Sequence, residues 1–451
     1  MKRFLISLTI IFMCYTQLQA RVWYVKGTGD DRNDGLTEQT AKRTLQHVAD
    51  QVCPGDVVMI GDGVYTSDEK EGVVRIQRSG TPKKWITWKA IEGQHPEVRP
   101  HQWCGIKVES SYHIIEGLRV IGRNDSIALK HAIADTKNDK PNPTFNTNGI
   151  HVEGRTCAAD KKPHHVIIRK CEVGKCAGGG ITMIECDYVT VEDCDVYDNA
   201  WYMRYAGSGI TTLNLWAYDN KPGYHIIIQR NRVWNNRTMV PWEKIGKLSD
   251  GNGILLDVTN RDGQTTTNPD GDAIIEKKKP QQNAAHEDKP QRPVWNNRSL
   301  IANNLSVFNG GSGIHTFRTC HVDIVNNTTY WNGTGVDYEE LFPNNSYDVV
   351  IKNNIIVPRP GGRVTSNNRN QDVQWDYNIY PVDQKVICGP HDIVADPQFV
   401  SPYTDLRFAD FHLKQGSLAI GSATNDLPQS TDIVGTKRPQ GARDMGCYEQ
   451  R

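Results

Sequence analysis

The sequence predicts an all-β solenoid, in which short strands stack along one axis, and two recurring patterns carry this prediction. The first is a small residue followed by Gly and then Ile or Val, at 148–150, 179–181, 208–210, 252–254, 312–314 and 334–336. The second is an apolar strand that ends in two asparagines: residues 300–304 return at 323–327, 23 positions later. A chain of 451 residues is longer than one compact core usually supports, which favours repeats that grow along an axis.

The N-terminus has the pattern of a secretory leader. Lys2 and Arg3 precede an apolar run at 4–13, and the small-residue site at 18–20 would end a signal peptide of residues 1–20. We therefore expect an exported protein, periplasmic or secreted, whose mature chain starts near Arg21. A lipid anchor on Cys14 is the alternative, although residues 11–13 match such a site poorly. No other apolar run approaches the ~18 residues that a membrane span needs.

Charge and cysteine content limit the partners. The chain carries 52 basic and 52 acidic residues, so its net charge offers no attraction for a nucleic acid, and we expect a monomer that recognises any charged partner locally. Ten of the eleven cysteines remain after the leader, an even number that permits disulfides in an exported protein. Cys171 and Cys194 are 23 residues apart, however, and we expect them to stack as buried free thiols. No Cys-x-x-Cys pair suggests zinc.

Segments at both termini differ from the repeats. Residues 22–65 combine a strand, a helix over 41–52 with Leu45, Val48 and Val52 on one face, and another strand. The C-terminal motifs lie at 396–399, 410–413 and 432–449. Both segments resemble those of secreted right-handed parallel β-helix proteins, many of which are polysaccharide lyases. The resemblance implies a right-handed parallel β-helix with a helix-containing N-terminal cap that covers exposed strand edges.

This resemblance divides the mature chain into three parts. Residues 21–110 form the N-terminal cap and first coils, 111–385 the stacked coils, and 386–451 a C-terminal closing segment. Three long links at 200–207, 237–250 and 258–294 are expected to wall one patch of the stack, although 258–294 also fits a plain surface insertion. The asparagines that repeat at one phase are predicted to form a structural ladder. They are Asn231, Asn304, Asn327 and Asn354.

Strand alternation predicts which side chains leave the core. The apolar residue after each Gly points inward, so the following residue faces solvent. The first outward column is predicted to be His151, Thr182, Thr211, Leu255, His315 and Asp337. The second is predicted to be Glu153, Ile184, Leu213, Asp257, Phe317 and Glu339. Because neighbouring coils lie ~4.8 Å apart, this ribbon suits an elongated polymer.

Residues 250–256 resemble the catalytic coil of the family-nine pectate and rhamnogalacturonan lyases. In that family a lysine base follows the Gly-Asn-Gly-Phe sequence, whereas this chain has Leu255 at the lysine position. The preceding coil, where the family carries a calcium-binding Asp-Gly-Phe-Asp motif, has residues 208–211 with no acid. Neither the lysine base nor the calcium ligands can be transferred to this chain.

The favoured reaction is β-elimination on a uronic-acid polysaccharide, either pectin or rhamnogalacturonan, or a glycosaminoglycan such as chondroitin or hyaluronan. It requires a base for the C5 proton and a cation or amide that neutralises the adjacent carboxylate. The predicted catalytic residues are His315 as base, Arg318 as the nearest cation, with Lys247 and Arg204 as further candidates, and Tyr205 or Tyr202 as proton donor. The predicted substrate-binding residues are Arg204, Tyr202, Asp257, Asp337 and His151.

Three side chains could hold Ca²⁺, and two other functions remain open. Asp250, Asn252 and Asp257 offer hard oxygen ligands, although Asp250 also fits a role in bonding the glycine turn. One alternative is a glycoside hydrolase on an acidic or plant polysaccharide, which needs two facing carboxylates. Its candidates are Asp257, Asp337, Glu339 and Glu340. The other alternative is a carbohydrate-binding β-helix without catalysis.

Overall fold

The computed structural model describes residues 20–259 and 292–450, and it is built from three parallel sheets wound around one core. The predicted leader up to residue 19, Cys14 and the middle of the 258–294 link lie outside the described residues. One coil passes through a strand of each sheet in turn. Because every strand pairs in parallel with the same sheet's strand in the next coil, the predicted parallel solenoid is confirmed.

Sheet 1 has eleven strands: Val22–Val25, Val57–Ile60, Ile86–Ala90, His113–Glu116, His164–Arg169, Asp187–Glu192, Tyr224–Gln229, Arg298–Ala302, Cys320–Val325, Tyr347–Lys352 and Gln371–Asp376. Sheet 2 has eight: Val74–Ile76, Cys104–Val108, Asn148–Glu153, Ile181–Ile184, Ile210–Leu213, Ile254–Asp257, Ile314–Phe317 and Leu341–Asn344. Sheet 3 has eleven: Val64–Tyr65, Glu97–Val98, Arg119–Ile121, Glu172–Gly174, Asp195–Tyr197, Arg232–Trp234, Leu305–Val307, Thr328–Tyr330, Ile355–Val357, Ile379–Tyr380 and Ile393–Val394.

The remaining elements decorate this stack. Phe399–Ser401 and Asp410–Leu413 form an antiparallel pair. Within residues 20–259 and 292–450, the α-helices are Leu45–Ala49 and Leu129–Asp135, and short 3₁₀ turns occupy Asn124–Ser126, Pro143–Phe145 and Ala159–Lys161.

The core is a set of apolar columns in strict register. In sheet 2 the residue after each Gly stacks on its equivalent in the next coil, and the whole column is buried. It consists of Ile150, Ile181, Ile210, Ile254 and Ile314. Burying one such side chain is worth roughly 1.5–3 kcal/mol, so the repeated isoleucine defines both the register and much of the stability.

The predicted asparagine ladder is confirmed at the corner between sheets 1 and 3. Each backbone N–H donates to the side-chain oxygen of the next ladder residue at 2.9–3.0 Å, and each side-chain amide also donates to that oxygen or to backbone. The ladder runs through Asn231, Asn304, Asn327, Asn354 and Asn378, and ends where Asn378 N–H donates to Asp392. These side-chain amides are hydrogen-bonded within the ladder and have a structural role. In the coils before the ladder, the predicted Cys171 and Cys194 are buried free thiols.

A second ladder lies at the next corner, after sheet 3. It consists of Asn199, Asn236, Asn309 and Asn332, each accepting from the residue before it, and it ends on the carboxylate of Glu340. Glu340 Oε2 accepts from Asn332 N–H at 2.9 Å, and its other oxygen accepts from the Asn332 side chain. Burial raises the pKa of Glu340 to about 8, although these bonds oppose the shift.

Both terminal segments depart from the prediction in detail. The N-terminal helix is Leu45–Ala49, shorter than expected, because Thr44 caps it by accepting from His47 N–H; the predicted apolar face is buried. The C-terminal segment does not simply close the end of the stack. It runs back along the corner between sheets 1 and 3, where Arg438 donates to Asn303 and Asn353 donates to the Thr424 carbonyl.

The prediction for the sixth glycine copy, at 334–336, is wrong. This segment forms a loop, in which Gly333 adopts the left-handed conformation (φ 73°), and the sheet 2 strand starts only at Leu341. Phe342 and Asn344 therefore take the outward places that alternation assigned to Asp337 and Glu339. Asp337 is instead exposed on the loop and pairs with Arg359 at 2.5 Å.

Candidate functional site

The outer face of sheet 2 carries the predicted ribbon of side chains. The observed first column is His151, Thr182, Thr211, Leu255, His315 and Phe342. The second is Glu153, Ile184, Leu213, Asp257, Phe317 and Asn344. Apart from the last member of each column, the predicted register of the columns is confirmed, because each of these residues flanks an inward residue of the core. The prediction that they face solvent is wrong for His151, Glu153, Leu255 and His315, which are buried.

Long links border this face around the strand Ile254–Asp257. Links 200–207 and 237–250 lie on the side where sheet 3 leads into sheet 2. They pair through Met239 N–H to the Trp201 carbonyl and share an apolar cluster with the segment around the helix Leu129–Asp135. The link that begins at 258 leaves from the opposite side. Links 200–207 and 237–250 therefore border one side of this face, whereas residues 260–291 of the third link lie outside the described residues. We call this outer face of sheet 2 the groove.

Arg204 and Tyr202 belong to the wall and not to the groove, which corrects their predicted role in substrate binding. Arg204 donates to the carbonyls of Asp135, Thr136 and Asn138, each at 2.9 Å, and to Glu243 at 2.5 Å. It thereby ties down the end of the helix Leu129–Asp135 and has almost no donor left. Tyr202 is buried in the wall cluster, and its hydroxyl donates to the Asn124 carbonyl.

Tyr205 and Lys247 lie on the same wall. Tyr205 is half-buried with its ring 5.9 Å from the Arg204 guanidinium carbon, and burial raises the pKa of its hydroxyl. Lys247 is exposed, and its carbonyl accepts from Trp242 N–H. Their predicted catalytic roles remain predictions, since these contacts join them to the wall.

His315 lies at the bottom of the groove. It is 7% exposed, and its ring stacks on Phe342 with 4.0 Å between centroids. Neither ring nitrogen has a hydrogen-bond partner. Burial lowers the pKa of the imidazole to about 3, so the ring is neutral at ordinary pH. A buried polar ring without partners costs stability and indicates a group kept available for a ligand.

Asp257 and Arg318 form the charged part of the site. Burial raises the pKa of Asp257 to about 6, partly offset by the positive charges of Arg318 and Arg292, and its Oδ1 has no hydrogen-bond partner. Arg318 follows the strand of His315 in the left-handed conformation (φ 52°), with its guanidinium carbon 4.5 Å from the Phe317 ring centre. Its Nε is buried without a partner, so this cation can still donate to an anionic ligand.

Asp250 and Tyr338 complete the site from the two loops beside it. Burial and, to a smaller extent, the charge of Asp257 raise the pKa of Asp250 to about 8. The Tyr338 ring lies 5.9 Å from the His315 ring, and its hydroxyl lies 3.3 Å from Ser249 Oγ. Burial raises the pKa of Tyr338 to about 12. Tyr338 could not be recognised from the sequence, because its loop has the Gly-Val pattern that starts a strand elsewhere in the chain.

The donors do not fit a calcium site, and Asn252 is corrected from ligand to structural residue. The amide oxygen of Asn252 already accepts from Ser312 N–H at 2.9 Å and from its hydroxyl at 2.8 Å. Within residues 20–259 and 292–450, no group of three His, Cys, Asp or Glu side chains is placed to hold a metal. Asp250 and Asp257 alone fall short of the roughly six to eight oxygens that Ca²⁺ takes.

His151 occupies the same column as His315 but at the other end of the groove. Four strand steps separate them, which corresponds to roughly 19 Å at the usual strand spacing. His151 is therefore not part of the cluster around His315. Asp337 also lies apart, on the exposed loop described above, so its predicted role in substrate binding is not supported.

Comparisons with known proteins agree with this architecture. A family model described as right handed beta helix region matches residues 94–269. The solved structure of pectate lyase Pel9A is similar with a TM-score of 0.50 at 16% identity, covering 96% of this chain and 96% of that chain. A rhamnogalacturonan lyase gives 0.46 at 16% identity over 85% and 91% of the two chains. GH136 lacto-N-biosidase from Eubacterium ramulus gives 0.44 at 14% identity over 80% and 56%.

No curated protein matches the sequence. At these identities the structural likeness shows the fold alone, and the chain has a right-handed parallel β-helix fold, as its sequence predicted. The described part of the chain contains no helix with the length and apolar character of a membrane span.

Proposed function

We propose that the protein is an exported polysaccharide lyase that cleaves a uronic-acid polymer by β-elimination. The observation that carries this proposal is the neutral, buried His315, whose ring nitrogens have no partners, in ring contact with Tyr338 and followed by Arg318. These are the three groups that the reaction needs: a base, a proton donor and a cation.

Arg318 would bind the uronate carboxylate. Pairing with the guanidinium draws negative charge away from C5 and makes the C5 proton easier to remove. The buried setting supports this role, because an ion pair in a partly desolvated groove is much stronger than one in water. The unpartnered Nε means that a substrate can be bound without breaking an existing hydrogen bond of that atom.

His315 would then take the proton from C5. The electron pair of the C–H bond forms the C4–C5 double bond, the bond from C4 to the glycosidic oxygen breaks, and Tyr338 gives its proton to the leaving oxygen. Burial keeps His315 unprotonated, and an anionic substrate above it would raise the pKa of the ring and make it a better base. Tyr338 remains protonated over the whole neutral range because its pKa is about 12.

A second function, glycoside hydrolysis, is favoured by the two acids of the site. With pKa values of about 8 and about 6, Asp250 is mostly protonated and Asp257 mostly ionised near pH 7. A general acid beside an ionised carboxylate is the pair that glycosidases use. In the lyase mechanism the same two residues would instead hold sugar hydroxyls beside the reacting unit.

Product analysis separates these functions. The purified protein is incubated with pectin, rhamnogalacturonan, chondroitin, hyaluronan and alginate, with and without a chelator that removes divalent cations. A lyase produces the ultraviolet absorbance of a C4–C5 double bond together with new reducing ends. New reducing ends without that absorbance would exclude the lyase and support the hydrolase. If neither signal appears with any polymer, the remaining function is carbohydrate binding without catalysis.

The His315→Ala variant tests the assigned base. We expect it to lower kcat by at least about a hundredfold, the usual contribution of a general base, with little change in the unfolding temperature. His391→Ala is the matched control, since His391 is exposed on the C-terminal part of the chain and pairs with Asp376. Full activity of the His315→Ala variant would exclude His315 as the base.

A further inference from the structure

Buried polar atoms without partners extend along the groove far beyond the site at His315. On the outer face of sheet 2 they include His151 Nε2, Thr211 Oγ1, Asp257 Oδ1, Asn344 Oδ1 and both nitrogens of His315. Unsatisfied buried polar atoms are rare in folded proteins, and each costs about 1–3 kcal/mol. A line of them along one face indicates a surface that acquires its hydrogen bonds from a bound chain.

The far end of this line, at His151, is built from charged side chains. His151 Nε2 lies 3.4 Å from Glu153 Oε2 without forming a hydrogen bond, and Arg155 binds the Glu153 carboxylate at 2.6 Å. In the preceding coil, Lys107 contacts Glu109 at 2.9 Å and Glu71 at 2.6 Å. His151, Glu153, Lys107 and Glu109 are each less than 9% exposed, so their positions are held by packing.

The protonation states at this end point to binding and not to a second reaction centre. Burial alone would raise the pKa of Glu109, but bonds from Arg75, Lys107 and Thr156 lower it to about 2. Burial also opposes ionisation of Glu153, yet Arg155 lowers its pKa. Since both carboxylates are ionised, neither has a proton to donate to a leaving group at neutral pH.

The charges also indicate which sugar would bind. The basic groups Arg75, Lys107 and Arg155 are already paired with carboxylates, so a uronate arriving here would be repelled by the charges of Glu153 and Glu109. Sugar hydroxyls, in contrast, can donate to an ionised carboxylate in strong charge-assisted bonds and can pair with the free His151 Nε2. The intervening Thr182 and Thr211 carry no charge.

We propose that His151 and Glu153 form a distal binding site for an uncharged, hydroxyl-bearing sugar of the same polymer, about four strand steps from His315. This inference rests on the proposed function. It deepens that function by requiring a long substrate in which a uronic acid at Arg318 is separated by several units from a neutral sugar at His151. A substrate too short to span the roughly 19 Å between the two histidines cannot use the distal site.

Chain-length dependence tests the proposal. The kcat/KM values of the wild type are measured on size-fractionated oligosaccharides of the cleaved polymer, from two to eight sugars in length. The His151→Gln variant is expected to reduce the ratio of kcat/KM on long chains to that on short chains by about fivefold to tenfold, roughly the value of one hydrogen bond made by a neutral side chain. Glu153→Gln should do the same, whereas His95→Gln, at an exposed histidine, is the control. An unchanged ratio in both groove variants with intact thermal unfolding would overturn the distal site.

A binding assay separates failure of the distal site from failure of the proposed function. Two proteins are titrated by calorimetry, the His315→Ala variant and the double variant that also carries His151→Gln. The ligands are neutral galacto-, arabino- and xylo-oligosaccharides and the longest oligosaccharides of the size-fractionated polymer. Weaker binding on adding His151→Gln supports the distal site even if the wild type cleaves no polymer. Absence of binding to every oligosaccharide, or binding that His151→Gln leaves unchanged, would overturn it.

Discussion

Ionisation of Asp250 is expected to lower the free energy of unfolding of the protein. The residue is half-buried, and desolvation together with the charge of Asp257 raises the pKa of its carboxyl from the ordinary 3.8 to about 8. The folded protein therefore holds a proton at Asp250 between about pH 4 and pH 8, where the unfolded chain has released it. Since the folded state binds more protons in this window, its stability falls as the pH rises, and the loss is complete above about pH 8.

The Asp250→Asn variant removes this loss. The rise in pKa from 3.8 to about 8 corresponds to at most about 6 kcal/mol, because a tenfold change in proton affinity is worth about 1.4 kcal/mol. Asparagine has the same shape as the protonated acid and tolerates the left-handed backbone found at this position (φ 59°). We expect the variant to match the wild type near pH 4 and to exceed its stability by several kcal/mol at pH 9.

Chemical denaturation at pH 4, 6, 8 and 9 measures the difference. Asp372→Asn is the matched control, because Asp372 also has a left-handed backbone (φ 50°) but is exposed, and its substitution should change little at any pH. The double variant with Asp257→Asn should gain less than the sum of the two single variants, since each carboxylate raises the cost of ionising its neighbour. A stability difference between Asp250→Asn and wild type that does not grow with pH would refute the reasoning.

Two further predictions concern the site and its wall. Lyase activity should decline as the pH falls through about 6, where Asp257 becomes protonated and no longer accepts hydrogen bonds from sugar hydroxyls as a carboxylate, and a pH–rate profile of Asp257→Asn should lack that limb. The Arg204→Ala variant should lose about 2–4 kcal/mol of stability in denaturation experiments, because three carbonyls and Glu243 lose their donor in the wall. If the Arg204→Ala variant keeps its stability but binds substrate more weakly, Arg204 is a substrate-binding residue and its structural role in the wall is refuted.

The fold could be predicted from the sequence because its rules are local and repeated. The Gly-Ile pattern fixes an inward isoleucine in each coil, and the 23-residue return of Asn304 at Asn327 marks one turn of the stack. Alternation from these anchors was enough to place Asp257 and His315 on the outer face. A single copy that broke the rule, at 334–336, was enough to misplace Asp337.

Roles that depend on distant contacts could not be predicted in this way. Arg204 binds carbonyls that precede it by 66–69 residues. The residues next to it in the sequence do not indicate that its N–H groups are hydrogen-bonded within the wall. Asn252 did carry a signal that was overlooked. It shares its position before Gly with Ser208 and Ser312, and its amide bonds to both of them across three coils, as a structural residue of that column would.

The second asparagine ladder connects the fold directly to the site. Glu340 ends the ladder by accepting from Asn332, and its carbonyl accepts from Gly313 N–H, two residues before His315. The loop that carries Tyr338 is thus anchored at one end by the ladder and at the other by Gly333, which donates to the Gly311 carbonyl. Because both anchors belong to the coil of His315, the distance between the proposed base and proton donor is determined by the same hydrogen bonds that hold the coils in register. A change at Asn332 or Glu340 should therefore act on the groove even though neither side chain faces it.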